Sequence, residues 1–126
     1  MDEHAPGSAV LLFKSPFQWA VYTACRGSLY ELDPGIGEVF SRTAVSYAAR
    51  HRFLWLIPLS RQHCLVNFDF PFIMDGPLFR QQKIPHTGRY IHQLDVRAAE
   101  TLAQALAGEY LELALLAGRG ATHGKA

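Results

Sequence analysis

Residues 63–70, HCLVNFDF, alternate in character: Cys64, Val66, Phe68 and Phe70 fall on one side of an extended chain, and His63, Leu65, Asn67 and Asp69 on the other. A period of two marks a half-buried strand. Residues 88–96, GRYIHQLDV, repeat the pattern, with Tyr90, His92, Leu94 and Val96 opposite Arg89, Ile91, Gln93 and Asp95. Residues 53–59 lack a polar face, as a central strand covered on both sides would, and Pro58 marks where its ladder ends. Residues 39–48, rich in β-branched and small side chains, predict one more strand, and His51-Arg52 a tight turn into the next.

Outside this block the period changes. Ser15 is placed to cap a helix whose first position is Pro16, where the missing N–H costs nothing. Phe17, Val21, Ala24, Ser28 and Leu32 follow at spacings of three and four, with Trp19, Cys25 and Leu29 widening the stripe, and Asp33-Pro34-Gly35 ends it. A second stripe, Ala99, Leu102, Leu106, Tyr110, Leu113 and Ala117, predicts a closing helix stopped by Gly118. Residues 71–87 hold three prolines and read as a long connection. Residues 1–8 and 118–126, carrying His4 and His123, read as loose tails around one domain over residues 9–117. The order helix, four strands, helix predicts an α+β fold of two layers: a four-stranded antiparallel meander with two helices packed on one face.

Composition narrows the function classes. In 126 residues, 12 basic and 11 acidic side chains give a formal net charge of +1, too little for the broad positive field on which non-specific nucleic-acid binding relies. The longest apolar runs, residues 9–13 and 53–59, fall far short of the roughly 20 residues of a membrane-spanning helix. Asp2 and Glu3 stand where a secretory leader carries basic residues, so a cytoplasmic location is expected. Cys25 and Cys64 are expected to be buried small hydrophobes and not a bridge.

Chemical motifs are sparse. GIGEVF at residues 35–40 follows a helix, lacks the G-x-G-x-x-G spacing and reads as a turn. His51, His63, His86 and His92 are scattered without zinc-site spacing. A nucleophile would have to be Cys64 or Ser46, and Cys64 falls on the apolar side of its strand, where a thiol is inert. No catalytic residue, metal ligand or cofactor is expected.

Arg42-Thr43-x-Val45-x-Tyr47, Arg52-Phe53 before an apolar strand, GRYIHQLDV, and a closing helix with Leu111-Glu112 before Gly118 together resemble the bacterial domain-of-unknown-function 5655 family over residues 15–118. The resemblance implies a small α+β domain of this element order and no assigned reaction, cofactor or partner. Gln93 stands where a second histidine is common in the family, and Leu115 where an aromatic is usual.

If the helices cover one face of the sheet, the other carries the candidate ligand-binding residues Arg42, Asn67, Asp69, Arg89 and Gln93 around an apolar centre. A bare apolar face is unusual on a monomer. The expected function is therefore a non-catalytic binding module. Its face would meet an unknown protein partner, a second copy in a homodimer, or a small anion gripped by the planar forks of Arg42 and Arg89. Two alternatives stand beside it: metal handling, such as iron delivery, through His63 and Asp69 with His86, and a small hydrolase.

Overall fold

Helix α2, Pro16–Leu32, begins as its sequence prescribes. Ser15 stays extended at φ −106°, ψ 158°, and its hydroxyl accepts the Gln18 N–H at 3.0 Å, while Gln18 Oε1 accepts the Ser15 N–H at 3.3 Å. That reciprocal capping box satisfies two amides that a helix start leaves open. The structure, a computed structural model, describes residues 7–121 except residue 87, and only the backbone of residues 81–86. His4, His123 and the side chain of His86 lie outside the described residues.

The elements in chain order are α1 (Gly7–Leu12), α2, β1 (Gly37–Phe40), β2 (Val45–Ala48), β3 (Arg52–Ser60), β4 (His63–Phe70), β5 (Gln81–His86), β6 (Arg89–Val96), α3 (Ala99–Ala107) and α4 (Tyr110–Gly118). The α+β class, the antiparallel sheet and its packing against helices agree with the sequence. The number of strands does not: the described residues form one sheet of six, ordered β1-β2-β3-β4-β6-β5.

Each difference has a local cause. Residues 39–48 are two strands and not one, because Ser41 closes a turn. Its hydroxyl accepts the Ala44 N–H at 3.1 Å, and its own N–H reaches the Ala44 carbonyl at 2.8 Å. The connection over residues 71–87 contains β5, hidden in the sequence by Pro85. An edge strand tolerates a proline, and the pairing with β6 is irregular between Gln82 and Pro85. The single closing helix is broken at Gly108, a weak helix former. The Tyr110 ring occupies the space beside that glycine, where a Cβ would stand 2.7 Å from Cε2, and packs edge-on to Phe79 at 5.2 Å. Residues 7 and 8, expected in a tail, open α1, whose Ala9 is buried.

Register fixes the two faces. Val45, Leu56, Val66 and Leu94 lie in line across β2, β3, β4 and β6, and Tyr47, Leu54, Phe68 and His92 in the next such row. These side chains are all buried, in one cluster with Val21, Cys25 and Leu29 of α2, Leu102 of α3 and Leu111 of α4, apart from His92 between aromatic rings. A bulge opposite Tyr47 and Ala48 turns both Phe53 and Leu54 inward, and Phe53 lies against Gly118, where a Cβ would come within 2.5 Å of its ring.

Candidate functional site

The face turned away from the helices is read off the same register. One row runs Val39, Ser46, Trp55, Asn67, Gln93 from β1 through β6, and the next pairs Ile57 with Leu65 and Asp95. Trp55, Ile57 and Leu65 are contiguous and half-buried, with Ile91 beyond Asp69, and none belongs to the core cluster. The face is partly apolar as expected, with Trp55 and Ile57 as the contribution of β3, but its centre is less open than expected, since Asn67 and Asp69 are buried.

Polar groups punctuate this face. Arg52 places its guanidinium over the Trp55 ring, 3.9 Å from its centre, and so covers part of it. Asn67, at the middle of the sheet, is 1% exposed, and neither its amide oxygen nor its amide nitrogen has a hydrogen-bond partner among the described residues. A buried amide without partners costs free energy, so Asn67 is a destabilising feature at the centre of this face. Asp69 is equally buried beside it. At the end of β6, Asp95 accepts from His63 Nε2 at 2.7 Å and pairs with Arg80. Burial works to raise the Asp95 carboxyl, but those two partners outweigh it and hold it below the usual carboxylate range.

The five predicted ligand-binding residues separate here. Asn67, Asp69, Arg89 and Gln93 share the open face. Arg42 does not: it is exposed in the turn between β1 and β2, because Ser41 ends the first strand before it. Arg42 stands beyond the Val45 end of the sheet, level with Leu94, whereas Arg89 opens β6 at the opposite end. Five residues along the strands and three strand spacings across put them roughly 20 Å apart. One small anion cannot bridge them. Arg89, expected as an exposed charge, is only 5% exposed and so belongs to the scaffold as much as to the surface.

The metal and nucleophile alternatives find no assembled site. Among the described residues no three His, Cys, Asp or Glu side chains converge, and His63 is engaged by Asp95. Both cysteines are free and buried. Burial and the neighbouring Cys64 push the Cys25 thiol up to about 12, and burial pushes Cys64 up to about 11, so neither is a ready thiolate.

A polar cluster the sequence did not reveal sits on the helix side. Glu38 Oε2 accepts the hydroxyls of Tyr22 at 3.1 Å and Tyr47 at 2.8 Å, and pairs with Arg26 Nε at 3.1 Å. Burial, and then the Glu38 carboxylate, hold both phenols far above their ordinary value. Every group there is satisfied by another, which fits a scaffold joining α2 to β1 and β2. The signal available was the lone acidic residue Glu38 inside an otherwise apolar GIGEVF. No known family, curated protein or solved structure matches the chain.

Proposed function

We propose that the protein is a non-catalytic binding module whose open sheet face meets a second copy of the same chain. The observation that carries this is the half-exposed apolar group Trp55, Ile57 and Leu65, which lies outside the core cluster. The face spans five strand spacings, about 24 Å, by about 20 Å along the strands, or roughly 500 Å² before side-chain relief is counted. Stable contacts take about 800 Å² per partner, so the area is of the right order.

Charge favours a copy over a strongly charged partner. Both signs are mixed on this face, Arg52, Arg80 and Arg89 beside Asp69 and Asp95, so two such faces meet with only a small excess of like charge. Membership of the domain-of-unknown-function 5655 family belongs to the same proposal, supported by Val45 and Tyr47 on β2 and GRYIHQLDV on β6. So does a cytoplasmic setting, which suits two buried free thiols.

Sedimentation of the full chain over a range of concentrations tests the contact. The wild type should associate, and Ile57→Lys and Leu65→Lys should each weaken association by about tenfold or more while keeping a cooperative melt, since both positions are half-exposed. A wild type that stays monomeric throughout, or folded variants that associate as well as it does, would move the binding surface elsewhere.

A further inference from the structure

Arg42, displaced from the sheet face, stands in a different setting. With Lys14 and Arg61 it lines an open pocket of about 510 Å³ between α1, the start of α2, the β1–β2 turn and the β3–β4 turn. Among the described residues, three cations and no acid line it, in a chain of net charge +1. None of the three side chains is in an ion pair or hydrogen bond among the described residues. Like charges gathered without a counter-charge repel, and a bound anion relieves that repulsion.

The walls are fixed although the charges are free. The Ser15 hydroxyl donates to the Arg61 carbonyl at 2.7 Å, and Gln18 Nε2 donates to the Ser60 carbonyl at 2.7 Å, tying the β3–β4 turn to the start of α2. The Lys14 N–H is held by Gln18 Oε1 at 2.8 Å. A pocket with a preset backbone spends less ordering entropy on binding. The capping box already uses the Gln18 amide, so side chains and not the helix start must hold an anion.

The rim adds the second half of the chemistry. Leu11 is 75% exposed and Leu59 52% exposed, and both line the pocket beside the half-buried Leu12. Large aliphatic side chains this bare, next to unpaired cations, suit a ligand with an anionic head and an apolar body. We propose that this pocket binds an amphiphilic organic phosphate, its head held by Lys14, Arg42 and Arg61 and its body laid on Leu11, Leu12 and Leu59. A dianionic head suits three cations better than a single carboxylate, and the arginine fork can grip two of its oxygens.

Such a head could arrive on a free phosphate ester or at a lipid surface, and two arms of one experiment separate the sources. The first titrates the full chain with hexyl phosphate, and with hexanol as control, following amide shifts by NMR. The second floats the protein with phosphatidylcholine vesicles with and without phosphatidic acid. Both are repeated with Arg42→Gln/Arg61→Gln, whose fold is checked by thermal melting. Saturable hexyl phosphate binding with shifts at Lys14 and in both turns, weakened about tenfold or more in the folded variant, supports a free ester. Flotation that needs phosphatidic acid and fails in the variant supports the same chemistry at a lipid. No binding in either arm at millimolar concentration, or binding that the folded variant keeps, overturns the site. Ile57→Lys should bind hexyl phosphate as the wild type does, because the sheet face lies apart from this pocket.

Discussion

Phe68 is fully buried, stacked on Phe70 at 5.6 Å and edge-on to Phe79 at 5.5 Å. Phe68→Ala should cost about 3–5 kcal/mol through lost burial and the cavity left behind, read from urea melts. Glu38 is the other residue on which much depends. Tyr47→Phe should cost about 1.5–3 kcal/mol, the worth of a hydrogen bond to a charged group. The pH dependence follows from burial. Tyr22, Tyr47, Cys25 and Cys64 all have raised values in the folded state, so the unfolded chain loses their protons first. Their contribution is therefore complete below the ordinary values and is lost as pH rises: stability should fall steadily from about pH 9 to pH 11, less steeply above pH 10 in Tyr47→Phe. His92 works at the other end. Burial lowers it, against the Tyr90 carbonyl and the charge of Asp75, and its Nε2 accepts the Met74 N–H at 2.9 Å. The folded state thus prefers the neutral ring, and acidification below 6.5 should loosen residues 71–80, seen as faster amide exchange at Met74.

Elements were legible where one short-range signal decided them. Ser15, Pro16 and the stripe through Leu29 specify α2 locally, and strict alternation specifies β4 and β6. The misses all turn on a single residue overriding a pattern. Ser41 folds one strand into two, Gly108 breaks a helix whose stripe continues past it, and Pro85 disguises an edge strand as a loop. Parity placed Asn67, Asp69, Arg89 and Gln93 on one face, because β4 and β6 are neighbours in register. It misplaced Arg42, which belongs to a turn, and it could not tell that Arg89 is buried. Periodicity reports which way a side chain points, not how deeply its neighbours cover it. At this scale Gly118→Ala is informative. Its Cβ would meet the Phe53 ring at 2.5 Å, so α4 would have to shift from β3 at a cost of about 1–3 kcal/mol, read as a lowered melting temperature.

The whole molecule is a sheet with two unlike sides. One is closed by α2, α3 and α4 over a continuous core; the other carries Trp55, Ile57 and Leu65 only half covered, beside a buried Asn67 amide with no partner among the described residues. No described helix is long and apolar enough to cross a membrane. Trp55 reports on the open side directly, since the chain has only one other tryptophan, Trp19, packed against the core. In Trp19→Phe, acrylamide quenching and emission follow Trp55 alone. If the open face binds a second copy, Trp55 should become less quenchable and shift to the blue as protein concentration rises, and adding Leu65→Lys should abolish both changes. Quenching and emission that stay constant with concentration and match those of the Leu65→Lys chain would contradict the account.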